Sequence, residues 1–210
     1  TSGGLHGVGS SVVNALSTRM EAIVEREWKK FFLAFEKWIT QGDIEVIGKS
    51  NRTGTIIKFW PDNEIFKITT TFDYQTIVNR LRQQAYLTKW ITLKINDERS
   101  GQRYKFYFEW GIKSYVNFLN KNEEPIGEIF YVEKEKNDIF VEVSMQYNKE
   151  YSNNIISFVN NIHTPEGGSH MVGFRTALTR TINKYARDKA ILKEKDQNLT
   201  NEDVVEWITA

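Results

Sequence analysis

Short apolar runs bounded by polar residues mark the first third of the chain, the pattern of strands. They predict a hairpin, Met20 to Glu27 and Lys30 to Lys37, the second strand holding Phe31-Phe32-Leu33-Ala34-Phe35. Two further strands follow at Asp43 to Ile47 and Thr55 to Trp60, with Gly48 to Gly54 turning between them. The pattern then changes. From Phe72 to Leu87, Ile77, Leu81 and Ala85 share one face with Val78 beside it, the spacing of an amphipathic helix. Ile91 to Ile95 and Tyr104 to Phe108 read as paired strands around Glu98-Arg99-Ser100-Gly101. Ile112 to Leu119 reads as a short helix with Tyr115, Val116 and Leu119 on its apolar side. Asn120 to Pro125 is a polar connector. A domain boundary falls just before that helix, near Gly111, dividing the chain into 1–110 and 111–210.

Strands are predicted next at Ile129 to Val132, Ile139 to Tyr147 and Ile155 to Val159. In the second, Ile139, Val141, Val143 and Met145 are expected to face inward and Glu142 and Ser144 outward. A long helix follows from Met171 to Asp188, striped by Phe174, Ala177, Leu178, Ile182 and Tyr185, with Ser169 as expected N-cap. A last helix covers Asp203 to Thr209, capped by Thr200 or Asn201. Strands and helices in this order argue an α+β fold for both halves.

Composition narrows the partners. The 210 residues carry 28 Lys and Arg against 27 Asp and Glu, a net charge of +1, so no global basic signature for nucleic acid exists. With no cysteine, disulfide frameworks and thiolate metal sites are excluded. No apolar run approaches the roughly 18 residues of a membrane span, and no signal peptide is visible. A cytoplasmic protein without membrane partners fits this composition. The chain starts with Thr1, inside a motif, and reads as a fragment of a longer protein.

That motif carries the chemistry. Gly3, Gly4, Gly7 and Gly9 precede an apolar helical run, Ser11-Val12-Val13-Asn14-Ala15-Leu16. Glycine tolerates positive φ and lets a ligand approach the backbone. A following helix offers unpaired N–H groups and the positive end of its dipole, which suits a phosphate. A solvated surface loop has the same composition. No Gly-Lys-Ser or Gly-Lys-Thr follows, so this is not a Walker loop, and no strand precedes it as a dinucleotide fold requires.

The string Gly3-Gly4-Leu5-His6-Gly7-Val8-Gly9-Ser10-Ser11-Val12-Val13-Asn14-Ala15-Leu16-Ser17 resembles the third nucleotide-binding motif of the bacterial type II DNA topoisomerase ATPase subunits, gyrase B and its paralogue ParE. Three more stretches resemble the same family in the same order. They are Arg52-Thr53-Gly54-Thr55, Val159-Asn160-Asn161-Ile162-His163-Thr164-Pro165-Glu166-Gly167-Gly168-Ser169-His170, and Leu192-Lys193-Glu194-Lys195-Asp196-Gln197-Asn198-Leu199. The resemblance implies part of a GHKL (Bergerat-type) ATPase α/β sandwich over 1–110. A ribosomal-S5-like transducer domain, truncated at its C-terminus, follows over 111–210. Lys134 to Gln146 and Tyr185 to Leu199 look more gyrase-like than ParE-like. Other GHKL enzymes, of the MutL, heat-shock chaperone and histidine kinase kinds, are not expected to combine Asn160-Asn161-Ile162 with Glu166-Gly167-Gly168. A nucleotide- or partner-binding module without turnover is the non-enzymatic alternative.

The family's roles carry over residue by residue. Gly4, Leu5, His6, Gly7, Val8, Gly9 and Ser10 would hold the ATP phosphates and form a lid, and Thr55 would place a hydroxyl near the adenine edge. Arg26 matches an arginine at the pocket rim, which is also the aminocoumarin site. Taken alone, Thr55 is an ordinary strand threonine beside a turn glycine, and Arg26 a solvated strand arginine. His6 could act as a base or hold the lid. The resemblance favours the second, because the family's general base is a Glu upstream. The Mg²⁺-binding Asn and the Asp that reads adenine also lie upstream, and a phosphate-sensing Lys lies downstream. No catalytic or metal-ligating residue is therefore assigned within this chain. His163, Glu166 and His170 are too loosely spaced for a zinc site. Arg175, Arg180, Lys184 and Arg187 form either a DNA-facing strip or a solvated face. For the whole family the implied cofactors are ATP and Mg²⁺, and the implied partners are DNA, the gyrase A protein (or ParC) and a second copy on ATP binding.

One departure stands out. Trp28, Trp38, Trp90, Trp110 and Trp207, five of the six tryptophans, occupy positions where the family shows glycine. Trp28 falls in a hairpin turn, where a glycine conformation is expected.

Overall fold

The computed structural model describes residues 7–149 and 153–210. The chain forms two compact units, 1–73 and 74–210.

In the first unit a short helix, α1 (Gly9–Ala15), leads into β1 (Ser17–Arg26), β2 (Lys29–Glu36), β3 (Ile39–Thr40), β4 (Glu45–Lys49) and β5 (Gly54–Pro61). These make an antiparallel sheet in the order β3-β2-β1-β5, with β4 also on β2. The β1–β2 register runs from Arg19↔Glu36 to Arg26↔Lys29, leaving only Glu27 and Trp28 in the loop. The apolar runs of the sequence place the hairpin correctly and set each strand end within a few residues. Met20 and Ala34 are its buried apolar residues, whereas Ile57 and Phe59 of β5 stay more than two-fifths exposed. The helix is latched at its end. Ser17 donates its hydroxyl to the Val13 carbonyl at 2.6 Å, and the Asp62 N–H donates to the Leu16 carbonyl at 3.0 Å.

The second unit opens with α2 (Tyr74–Leu87), the hairpin β6 (Leu93–Asp97) and β7 (Gln102–Phe106), and α3 (Ile112–Leu119). Val78 and Ala85 of α2 pack on Phe106 of β7 as a small core. Tyr86 stacks on Phe108 with ring centroids 3.8 Å apart, and burial pushes its phenol up to about 12. The strands β8 (Pro125–Lys136), β9 (Ile139–Asn148) and β12 (Ile208–Thr209) form a sheet in the order β12-β9-β8. Between them lie the short hairpin β10 (Phe158–Val159) and β11 (Ile162–His163), the long helix α4 (Ser169–Asp188) and α5 (Asn201–Val205). Leu178, Val204, Val205 and Ile208 form the larger core, with Met145 and Tyr147 packed against it.

Three local expectations are corrected. In the second half of β9 the fully buried residues are Ser144, Gln146 and Asn148, the parity opposite to the one expected. Both faces are covered there: Met145 and Tyr147 meet the α4–α5 core, while α3 packs on the other side. The polar face is paired in part: Asn120 donates to Gln146 at 2.8 Å and Asn148 donates to Thr209 at 3.0 Å, while the buried Ser144 hydroxyl has no partner among the described residues. Buried polar groups that bond one another are tolerated where apolar alternation would otherwise be expected. Second, α4 begins at Ser169, so Gly168 (φ 149°) is its N-cap and Ser169 its first helical residue. Third, α5 starts at Asn201, where Thr200 and Asp203 form a reciprocal capping box, and stops at Val205, because Glu206 is already extended and the chain goes on into β12.

Candidate functional site

Gly4, Leu5 and His6 lie outside the described residues. Gly7 follows them with φ 67°, and a Cβ built there or at Gly9 would meet nothing within 4 Å. Val8, half exposed, is the N-cap residue of α1, and its side chain contributes no capping bond. The Val12 N–H donates to the Val8 carbonyl at 2.9 Å, so the helical ladder starts there. The N–H groups of Gly9, Ser10 and Ser11 precede the first helical acceptor and have no partner within the helix. A left-handed glycine, an unobstructed approach and free first-turn donors are what a phosphate cradle requires.

Sheet register decides what faces this helix. Cross-strand partners point to the same side, and residues two apart on a strand do so as well. Thr55 pairs with Val24, and Phe59 pairs with Met20. Thr55, Ile57 and Phe59 therefore share one face of β5, and Arg26 joins Val24 on the same face of β1. Val13 of α1 and Leu16, which ends it, line a cleft with Phe59, Pro61, Phe66 and Phe72. The helix thus lies on the face that carries Thr55 and Arg26. Pattern reading named these residues separately; register puts them on one side of one sheet.

The opposite face holds a feature that sequence reading missed. Glu25, paired with Gly54, is 4% exposed at its side chain and bonded to Arg52, and Lys30 lies 2.9 Å away. Hydrogen bonds from Arg52 and Lys30 hold the Glu25 carboxyl down at about 2. Arg52 opens the Arg52-Thr53-Gly54-Thr55 string, so this ion pair pins the start of β5 to β1, next to Thr55. The only sequence signal was a charge in each strand. Which charges met depended on register, which pattern does not give. Arg26 itself pairs with its neighbour Glu27, its Nε 3.1 Å from the carboxylate.

In the second unit, the His170 ring lies 3.0 Å from the Thr164 hydroxyl and His163 packs on the Phe158 ring. Among the described residues no three His, Asp or Glu gather as a metal would need. The basic face of α4 is divided in use. Arg187 clasps the following loop, donating to the Asp196 carbonyl at 2.6 Å and to Asn198 at 2.8 Å. Asn183 exchanges two bonds with the Leu199 backbone, at 2.8 and 2.9 Å. Arg175, Arg180 and Lys184 line a groove beside Asn201. No described helix is long and apolar enough to cross a membrane.

Known proteins share the sequence and fold of this chain. Residues 111–210 match the DNA gyrase B family. The DNA gyrase B protein of Bacillus mycoides is 53% identical over 211 aligned residues, covering 100% of this chain and 52% of that protein. A crystal structure of the 43K ATPase domain of Thermus thermophilus gyrase B, in complex with an aminocoumarin, superposes with a TM-score of 0.84 at 33% identity, over 97% of this chain and 56% of that one. The topoisomerase IV ATP-binding domain of Francisella tularensis, in complex with a small-molecule inhibitor, gives a TM-score of 0.80 at 28% identity, over 100% of this chain and 57% of that one. The chain spans about half the length of the Bacillus relative it matches. Its two-part α+β architecture is that of the gyrase B ATPase region. With half of its residues identical to that relative across its whole length and the same fold, the chain is similar throughout to the ATPase region of DNA gyrase B proteins.

Proposed function

We propose that this chain supplies the lid half of an ATP site in a bacterial type II topoisomerase, and that the whole protein couples ATP binding and hydrolysis to DNA strand passage and supercoiling. The observation that carries the reading is the glycine loop opening α1 on the sheet face that also bears Thr55 and Arg26. Backbone N–H groups from Gly7 to Ser10, continuing the Gly4, Leu5 and His6 segment, would hold the triphosphate. Thr55 would sit at the adenine edge and Arg26 at the rim. The open space beside Gly7 and Gly9 fits a phosphate approaching the backbone. When bound, ATP with Mg²⁺ supplies the hydrolysable phosphoanhydride. No Mg²⁺ ligand or general base is assigned within these residues. The functional boundary is proposed at 110/111, which agrees with the start of the family match at residue 111. The partners of the whole protein would be DNA, gyrase A and a second copy joined on ATP binding, in the cytoplasm.

A second reading, the ParE component of topoisomerase IV, is kept because the Francisella domain is nearly as similar in fold. Reconstitution of the full-length protein with its A-type partner separates the two. ATP-dependent negative supercoiling of relaxed plasmid supports the gyrase reading. Decatenation without supercoiling supports ParE, and neither activity would sink both.

A further inference from the structure

Four two-residue hairpin loops in this chain share one geometry. Glu27-Trp28, Lys37-Trp38, Asn137-Asp138 and Asn160-Asn161 each have φ between 45° and 65° at both positions. Each joins directly paired residues: Arg26↔Lys29, Glu36↔Ile39, Lys136↔Ile139 and Val159↔Ile162. This is the type I′ turn, whose second position most favours glycine, with asparagine and aspartate the usual substitutes. Two of the four loops obey that chemistry. The other two place tryptophan, a bulky side chain, at the second position.

Two more tryptophans repeat the pattern elsewhere. Trp90 has φ 69° at the third position of a turn closed by the Ile91 N–H and the Thr88 carbonyl. A turn with positive φ only there is type II, whose third position calls for glycine or asparagine. Trp207 has φ 70° and follows Glu206, the C-cap of α5, the place where a left-handed glycine ends helices. The equivalent place after α4 holds Ala190 at φ 54°, a residue with a single side-chain carbon. Trp28, Trp38 and Trp90 are 76%, 65% and 66% exposed, so little packing accounts for their presence. By contrast Trp60 sits within β5 in ordinary strand conformation. The backbone argument does not reach Trp110, which lies outside the left-handed region.

We propose that the protein made in its native host carries glycine at positions 28, 38, 90 and 207, because the codon written there as tryptophan is read as glycine. Four different turns have one preference in common, a left-handed residue, which glycine meets best. Independent substitutions would not converge on the largest side chain at four positions that least accept it. A single decoding rule produces all four at once and leaves Trp60 untouched.

The test is peptide mass spectrometry of the full-length protein purified from its native host, with the gene sequenced alongside. Glycine as the main residue at the four positions, with tryptophan retained at 60 as internal control, is the expected result. Tryptophan as the main residue at those positions overturns the proposal. In the gene, the four positions should share one codon that differs from the codon for Trp60. A codon common to all five would overturn the decoding rule.

Discussion

Exchanging Trp28, Trp38 and Trp90 together for glycine should stabilise the intact protein. Each tryptophan holds φ between 63° and 69°. A left-handed backbone costs a residue with a Cβ roughly 1–2 kcal/mol, so relief at three sites is worth about 3–6 kcal/mol. Lost apolar contact opposes this. A tryptophan side chain can bury 150–250 Å², but Trp28 is 76% exposed and the other two about two-thirds. At about 25 cal/mol per Å² the area withdrawn at each site is worth roughly 1–2 kcal/mol as an upper bound, since unfolded chains already cover part of it. Over the three sites burial is worth at most about 3–6 kcal/mol, and about 2–5 kcal/mol once the cover already present in unfolded chains is taken off, so strain leads by about 1 kcal/mol between midpoints. The turns lie at opposite ends of β2 and in the second unit, so their effects should add. A domain of this size gains about 2–4 °C per kcal/mol, which puts the rise near 2–4 °C. Calorimetry on the full-length protein, expressed with either residue set, measures it. An unchanged or lower melting temperature for the triple glycine variant would refute the reasoning. Trp207 is left out because it is only 38% exposed, and its burial offsets its strain. Asn137→Gly serves as control and should shift the transition little, because asparagine already accepts this conformation.

In the full-length protein, Gly7→Val should weaken ATP binding at least tenfold, because a β-branched residue strains at φ 67° and fills the open approach; titration calorimetry showing wild-type affinity would remove the cradle. The 210-residue chain alone should hydrolyse no Mg-ATP above background, having no assigned group to activate water; saturable turnover by pure chain would contradict this. Glu25 ionises in the fold at about 2, below its ordinary 4.5. Its stabilisation is therefore complete above the unfolded value and is lost as pH falls from about 4.5 towards 2. Glu25→Gln should flatten acid unfolding across that window, and parallel curves for the two proteins would show that the Arg52 and Lys30 contacts carry no linkage.

Much of this architecture was legible before any coordinates. The β1–β2 hairpin follows from its apolar runs, and the face of α2 and part of the stripe on α4 follow from period; Leu178 of that stripe is buried, but Tyr185 is 58% exposed and Asn183 and Ala186 are buried in its place. β9 shows where period fails. Its second half is covered on both sides, so polar Ser144, Gln146 and Asn148 are as buried as any apolar residue, and alternation reports the wrong side. The site was legible in part. A glycine loop before a helix states its chemistry locally, as does a threonine after a turn glycine. That Thr55 and Arg26 share a face with α1 depends on the Val24↔Thr55 register, and the Glu25–Arg52 pair depends on it equally. Arg187 belonged by spacing with its basic neighbours, yet it serves the loop that follows α4, a contact only the chain's path reveals.

The closing strand has a consequence during synthesis. β12 is the last piece of its sheet, and Thr209 reaches Asn148 across 61 positions of chain. On the ribosome, β9 pairs early with its hairpin partner β8, while its other edge waits for residues not yet made. At 5–20 residues per second that wait is about 3–12 s. For that interval an unpaired strand edge is open to neighbouring nascent chains. Beside that edge the buried amide side chains of Gln146 and Asn148 are engaged by Asn120, the residue that closes α3. α3 emerges before β9, so it can occupy those amides while the edge still lacks β12, and so limit mispairing until the chain reaches Ile208.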